Sequence, residues 1–413
     1  MLTIPLNEVQ EHYSVVISGA GPVGLLIALR LGQINIPTLV VERHNELLFS
    51  TRGCAYQPVV IKALEDLGLL DCIKQQAHVN RDGLHWRDIH GKELAHLPVP
   101  EGEYILLMGQ KRLNDTILKE LEKYPCVNVR FNTAYVGCEQ DKHQVKVMLH
   151  ETSVQRDDDS FVTADWLVGA DGAASTVRRS LCIPFEGISF TDFRVIGTDV
   201  YYDFASEGYP IMNYIRDKDY WCGLLYTGEK KDGKHDGAPL WRVAYVESLE
   251  HSLEKAAILE RAQKQLRHYV KGPEGPFDIH RAEPYRVHQR CAAEAIKGRV
   301  ILAGDALHSN NPAGGFGLTT GILDAYNVGN VLSRVCRGEA DESLLTEVAN
   351  DRRDAWLNYT NKLSMGMYKR LASEEPQDAR ERDEYFASLN NDPSYFSKVR
   401  AMVEGIAGKT FSA

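Results

Sequence analysis

The chain has 413 residues, 44% apolar and 25% charged, which is enough for two or three structural units around a large core and too ordinary a composition for disorder. Its net charge of −10 argues against nucleic acid and anionic membrane surfaces as partners. No stretch approaches the roughly 18 apolar residues that cross a bilayer, the first residues carry no basic, apolar leader, and the eight cysteines contain no CxxC pair, so a soluble cytoplasmic protein with reduced thiols is expected.

In chain order, an apolar run at 15–17 enters Gly19-Ala20-Gly21-Pro22-Val23-Gly24 and continues into the apolar stretch 25–29, the strand, glycine turn and helix of a dinucleotide site. Gly19 permits the tight turn, Gly21 lets backbone N–H groups approach a pyrophosphate at the positive helix end beginning near Pro22, and Gly24 lets helix and strand pack closely. A second strand at 38–41 ends in Glu42, placed for the ribose hydroxyls of an adenosine. An acid there disfavours a 2′-phosphate, so the bound nucleotide is FAD or NAD rather than NADP. Arg43 and Arg52 near this loop, and Arg178-Arg179 further on, are the local cations available for anions in an acidic chain.

Residues 127–168 alternate in β fashion around a polar turn at 156–160, a meander attached to the parallel sheet. Trp166-Leu167-Val168-Gly169-Ala170-Asp171-Gly172 then delivers an acid, Asp171, into a second glycine turn. The segment 185–285 is aromatic and strand-like at 195–202, 209–215, 220–226 and 241–246, predicting a mostly antiparallel sheet with one face turned to the cofactor and a solvated loop at 229–234. Helical spacing returns at 248–269. Arg299 to Gly304-Asp305 repeats the strand-to-acid pattern, and Gly314, Gly315 and Gly317 precede a helix starting near Leu318. The tail from 340 is charged and helical.

Three such motifs exceed what a simple dehydrogenase needs, and together they outline one FAD site. Asp305 suits ribityl hydroxyls, the last glycines let backbone lie against a flat ring, and the following helix points its positive end at the pyrimidine edge, where reduced flavin is negative. The nucleotide domain is therefore discontinuous. The expected fold class is α/β: a Rossmann-like FAD-binding domain (1–75, 105–184 and 285–365), an inserted, mostly antiparallel β-sheet substrate domain (76–104 and 185–284) and a helical C-terminal cap (366–413).

At these residues the sequence resembles the single-component FAD-dependent aromatic hydroxylases, the group typified by p-hydroxybenzoate and phenol hydroxylases. The matching positions are Gly19 to Gly24 with Glu42, Arg52-Gly53, Gln110 and Arg112, Asp171-Gly172, and Gly304-Asp305 with His308, Pro312 and Gly314 to Gly317. Asp324-Ala325-Tyr326-Asn327 continues the pattern, and Tyr285 to Arg290 looks like the strand entering the last motif in members acting on phenylpropanoids, nitrocatechols or polyketide phenols. The resemblance spans about residues 13 to 360 and departs at Leu318-Thr319-Thr320-Gly321, where many members have a Met/Ala-Asn pair. It implies Arg52 and Gly53 over the flavin, and Gln110 and Arg112 at its ribityl or phosphate region. It also implies two half-reactions: NADPH or NADH, bound transiently, reduces FAD, then O2 adds at flavin C4a and the distal oxygen of the hydroperoxide passes to a phenolic or heteroaromatic substrate. No metal is required.

For the substrate, Tyr214 and Arg216 share a strand face because side chains repeat every two residues, and with Tyr226 they combine a cation with phenols. Arg216 is the first candidate to hold an ionised phenol or carboxylate; Arg194 and His288 are the alternatives. His308 reads as a structural hydrogen bond in its loop. Epoxidation or Baeyer-Villiger-type insertion by the same flavin, and a flavin-binding redox sensor without turnover, are the competing functions. A monomer or homodimer is expected.

Overall fold

The computed structural model describes residues 11–47, 53–153, 159–234, 236–272 and 275–411. Its first sheet runs in the order Ile296–Lys297, Val300–Leu302, Ser160–Gly169, His12–Ser18, Thr38–Val41, Val127–Arg130. All neighbours are parallel except the outermost pair, Ile296–Lys297 on Val300–Leu302. Val15, Val16, Ile17, Val40, Leu167, Val168 and Ile301 are fully buried, the continuous apolar runs that a sheet covered on both faces requires. Thr133–Gln140 and Val145–Glu151 extend it as an antiparallel meander from Ser160–Gly169.

The second sheet has seven strands, ordered Asp278–Tyr285, Phe193–Tyr201, Pro239–Ser248, Cys222–Lys230, Met212–Arg216, Gly83–Asp88, Glu93–Pro98. Every pairing is antiparallel except Met212–Arg216 with Gly83–Asp88. Alternation separates its faces. Ile196, Val200, Leu224, Val243 and Tyr245 form an outer core with Ile258, Ala262 and Leu266 of the helix Lys255–Leu266, which occupies the middle of the helical stretch read at 248–269. The inner face looks toward the nucleotide-binding turns. Between the two sheets the connections are themselves paired: Phe185–Ser189 with His288–Ala292, and His78–Asn80 with Ile105–Leu107.

The tail is helical at Ser343–Ala355, Asn361–Ala372, Pro376–Asn391 and Tyr395–Glu404. Pro376–Asn391 sets Tyr385 and Phe386 against Trp86 on the edge hairpin of the second sheet, covering apolar surface there. Residues 405–411 then turn back to the nucleotide-binding side, where Phe411 is buried and its backbone bonds to Asn327 and Asn330.

That return is tied to the third glycine motif through one carboxylate. Asp324 lies in the long helix Phe316–Cys336 and is fully buried. It accepts from the Gly304 N–H at 2.9 Å, contacts His308 Nε2 at 2.8 Å and accepts from Arg352 Nε at 2.9 Å. Arg352, also fully buried, donates its other two nitrogens to the Ala407 and Ile406 carbonyls at 2.6 and 3.0 Å. Burial alone would raise the Asp324 pKa, but the charges and hydrogen bonds of His308 and Arg352 outweigh it and hold the carboxyl below its ordinary range. A carboxylate with a depressed folded-state pKa stabilises the fold above the unfolded value of about 3.9, and that contribution is lost as pH falls through the folded value. Arg352→Met should therefore lower unfolding stability by about 3–5 kcal/mol, the scale for breaking a buried pair. It should also move the acid-unfolding midpoint to higher pH; circular dichroism over a pH series checks both.

Candidate active site

The parallel sheet brings its three turns together at one edge. Strands ending at Ser18, Gly169 and Leu302 are neighbours, and the backbone links Ala170 N to Ser18 O at 2.9 Å and Ala303 N to Gly169 O at 3.0 Å. Ligands of open α/β sheets bind at such carboxyl ends. The turns also touch directly: a Cβ on Gly19 would lie 2.5 Å from Ala170 O, and one on Gly304 would lie 2.8 Å from Val23 Cγ2. Gly19 and Gly304 have φ of +107° and +59°, so both the conformation and the space demand glycine.

Gly21 differs. Its backbone is extended, at φ −71° and ψ 175°, and a Cβ there would meet nothing within 4 Å. Among the described residues nothing crowds this point, which leaves open backbone for a pyrophosphate at the mouth of the helix Pro22–Gln33. Gly317, in the first turn of Phe316–Cys336, is open in the same way. Pro312, Gly315 and Gly317 are partly accessible while Asn311, Ala313, Gly314 and Phe316 are buried, so the loop presents a narrow accessible backbone track. Gly53, Gln110 and Leu318 converge: a Cβ on Gly53 would lie 3.1 Å from Leu318 Cβ and 3.6 Å from Gln110 Oε1. Arg112, two residues into the helix Gln110–Leu121, faces the half-buried Glu229 and Tyr226.

The acids divide their work. Glu42 accepts from Ala20 N at 3.0 Å and His44 N at 3.1 Å, bracing the first turn. Asp171 Oδ2 accepts from Thr176 N and Val177 N at 2.7 and 3.1 Å, capping a short helix, while its Oδ1 is buried with no partner among the described residues. Arg178 donates to the Ala306 carbonyl at 2.9 Å, joining the second turn to the third. Asp305 is partly exposed, with no hydrogen bond to a described residue occupying its carboxylate. Arg43 is exposed beside His44, and Arg52 lies outside the described residues. An open glycine cradle, a free acid and an accessible loop backbone fit FAD.

The inner face of the second sheet meets this edge at Tyr214, whose hydroxyl is bonded to Gly314 N. Gly197, Ala244, Gly223 and Tyr214 stand opposite one another on four adjacent strands. Strands spaced about 4.8 Å apart make the three small residues a strip roughly 10 Å from end to end, long enough for a substituted aromatic ring. Ala244, Val246 and Leu225 are partly accessible although their strands are central. One end of the strip is closed by Phe193, Trp221 and Tyr368, whose rings lie within 6.1 Å of one another. The other end holds the buried pair Asp199 and Arg242, bidentate at 2.8 and 3.0 Å. Tyr214 bounds the strip toward the glycine loop: its hydroxyl accepts from Gly314 N at 2.6 Å, which leaves its own proton to donate. Burial pushes the Tyr214 pKa up, so it remains a neutral phenol.

The five substrate candidates part company here. Tyr214 stands beside Gly223 at the end of the small-residue strip. Arg216 shares its face, as the spacing predicts, but its guanidinium is paired with Glu374 of the tail. Arg194 has the parity of Ile196 and points to the outer face, where Glu247 accepts from its Nε at 2.8 Å; the expectation that it reaches substrate is corrected by strand alternation. Tyr226 also has outer parity, packing against Trp241 and edge-on to His78. His288 bonds Ser189 at 2.8 Å across the three-stranded sheet. His308 is buried on Asp324 and parallel to the Trp356 ring, a structural position. Sequence reasoning missed Asp199, Arg242 and the small-residue strip. A lone Arg242 within the apolar run 241–246 was the available signal, since a charge there needs a buried partner. It also missed Gln289, whose Oε1 accepts from Asn311 N and Nδ2 at 2.9 Å and so fixes the start of the glycine loop.

Fold and site together define a flavoprotein. A family profile described as FAD binding domain matches residues 12–361, and the chain belongs to that family. Para-nitrophenol 4-monooxygenase of Pseudomonas sp. strain WBC-3 is 33% identical over 403 residues, covering 96% of both chains. The 6-hydroxy-3-succinoylpyridine 3-monooxygenase HspB of Pseudomonas putida strain DSM 28022 / S16 is 32% identical, over 88% of this chain and 90% of that one. The crystal structure of p-nitrophenol 4-monooxygenase PnpA from Pseudomonas putida DLL-E4 superposes with a TM-score of 0.88 at 31% identity, over 97% of this chain and all of that one. The chain is a flavin-dependent aromatic monooxygenase of the single-component hydroxylase group.

Two substitutions separate cofactor binding from folding. Gly21→Val adds a Cβ that meets nothing within 4 Å, so the variant should fold with a melting midpoint close to that of the wild type yet purify colourless. Asp305→Ala should weaken FAD binding by about 1.5–3 kcal/mol, the scale of a lost hydrogen bond to a charged group, as read by fluorescence titration of the apoprotein.

Proposed function

We propose that this chain uses NADPH or NADH and O2 to hydroxylate a phenol or a hydroxylated heteroaromatic ring at the carbon para to its hydroxyl. The observation that carries the reading is the small-residue strip Gly197–Ala244–Gly223 facing the Pro312–Gly317 loop, with Tyr214 bonded to both worlds: its strand and the Gly314 N–H. The names of the two relatives agree on position. Carbon 4 of para-nitrophenol and carbon 3 of 6-hydroxy-3-succinoylpyridine each lie opposite the ring hydroxyl and already carry the substituent.

FAD, which the Gly19–Gly24 turn, Asp305 and the Pro312–Gly317 loop would hold, would when reduced by the nicotinamide supply an electrophilic oxygen from O2. The chain does the rest. Its small-residue strip holds the ring flat, and the aromatic end wall excludes water. The neutral Tyr214 hydroxyl donates to a phenolate oxygen, stabilising the ionised form whose electron density lies at the ortho and para carbons. The buried Asp199–Arg242 pair closes the far end without offering a net charge, so orientation comes from Tyr214 and shape. Two electrons from the nicotinamide take one oxygen atom to water while the other bonds to carbon; a proton lost from that carbon leaves a dihydroxylated ring, whereas a para substituent that departs with the bonding electron pair leaves the ring as the quinone.

The test is a panel of para-substituted phenols added to the FAD-loaded enzyme with NADPH or NADH. At least one should accelerate nicotinamide oxidation and return product in near-stoichiometric yield; peroxide as the sole product with every phenol would overturn the reading. Ala244→Leu should abolish that stimulation while leaving FAD content normal, because the added isobutyl group fills the strip. Tyr214→Phe should also keep its flavin, weaken substrate binding by about 1–3 kcal/mol and divert electrons to H2O2, since a loosely held ring misses the reactive oxygen. Unchanged coupling in Tyr214→Phe would remove it from the site.

A further inference from the structure

Away from this site, the edge hairpin Gly83–Asp88 and Glu93–Pro98 carries a cluster that the oxygenation does not use. His85 and His96 stand directly opposite each other on the two strands, on the face away from Leu84 and Trp86, with their rings 4.2 Å apart and 11° from parallel. Asp82, just before the first strand, reaches both: its Oδ2 lies 2.7 Å from His85 Nε2 and its Oδ1 3.6 Å from His96 Nε2. Its backbone carbonyl is also 2.8 Å from His96 Nε2. On the far side of His85, Glu93 Oε2 lies 2.7 Å from Nδ1. His85 is buried, while the other three side chains are accessible to solvent.

We propose that Asp82, His85 and His96 bind one divalent transition-metal ion of the zinc, nickel or copper class. One donor atom from each of the three lies within 4.8 Å of the others. Around a tetrahedral zinc ion, with bonds of about 2.0–2.1 Å, ligand atoms sit roughly 3.3 Å apart. The remaining closure falls on the accessible members: the Asp82 carboxylate turns inward, and the His96 ring rotates out of its stack on His85 and off the Asp82 carbonyl, bringing its Nε2 lone pair onto the point that His85 Nε2 faces. Glu93 makes the buried histidine a preformed ligand. Accepting from Nδ1–H, it holds the ring so that Nε2 is the atom left to a metal once its own proton is displaced, the carboxylate–histidine–metal arrangement that raises ligand basicity. The ion replaces the proton between His85 Nε2 and Asp82, and water completes its shell. Two imidazoles and one carboxylate suit these metals and not magnesium or calcium, which take oxygen donors.

The site would brace the edge hairpin rather than act on substrate. Trp86, on the opposite face of that hairpin, packs on Tyr214 at 5.3 Å and on Phe386 of the tail at 5.2 Å. The experiment is calorimetric titration of chelator-treated, FAD-loaded, full-length protein with Zn2+. One equivalent should bind with micromolar or tighter affinity, raise the melting midpoint and resist millimolar Mg2+. His96→Ala, a change at an accessible side chain, should remove that equivalent with flavin content and catalytic rate unchanged. Glu93→Gln should retain binding but weaken it about 10- to 100-fold, as loss of an orienting partner does. Absence of stoichiometric Zn2+ binding in the wild-type protein, or an isotherm unaltered by His96→Ala, overturns the proposal.

Discussion

The contact network on Asp324 is the constraint from which the rest of the site follows. A single buried carboxylate joins the Gly304 turn, the His308 ring and, through Arg352, the backbone at 406–407. An ionised group at full burial is tolerated only when its lone pairs are met by charge and hydrogen bonds together, and here both oxygens are. The same arrangement fixes where Asp305 stands, because its neighbour Gly304 is held by the amide. It also makes the last residues of the chain part of the nucleotide-binding architecture, although the helices before them cover the substrate sheet.

A second constraint shapes the substrate side. A central sheet face normally carries large side chains, yet the strip Gly197–Ala244–Gly223 carries three small residues, and its neighbours Val246 and Leu225, packed against the core, stay partly accessible. The smaller burial is offset elsewhere: the outer face of the same strands is fully packed against the helix Lys255–Leu266. The Asp199–Arg242 pair then does what an apolar residue could not, holding two central strands in register through a bidentate contact while contributing no net charge to the inner face. With Arg216 and Arg194 both committed to carboxylates, the proposed reading leaves recognition of an anionic ring to the neutral Tyr214 hydroxyl and to shape.

Much of the nucleotide side was legible in the sequence because its signals are local. A strand, a glycine turn, a helix and an acid occupy consecutive positions, and Gly19, Gly24 and Gly304 are glycines for reasons of φ or close approach that leave a direct mark. The substrate side was not, because the identity of an inner face depends on which strands pair and in what register, and shifting by one residue exchanges the faces. Tyr214 and Arg216 were correctly placed on one face, but nothing in the strand announces that Glu374, 158 positions on, neutralises the arginine. Arg194 and Tyr226 fell on the outer face for the same reason. The helix read from Leu318 begins at Phe316, since Gly315 in the left-handed region sets its start.

The central claim is that one aromatic ring lies on the Gly197–Ala244–Gly223 strip beside the flavin loop. A crystal structure of the FAD-loaded protein soaked with a para-substituted phenol tests it most directly. The account predicts ring density flat on Ala244, with the phenolic oxygen in hydrogen-bond range of Tyr214. Density for the phenol anywhere else on the molecule, with the strip collapsed or filled by protein side chains once FAD is bound, would contradict it.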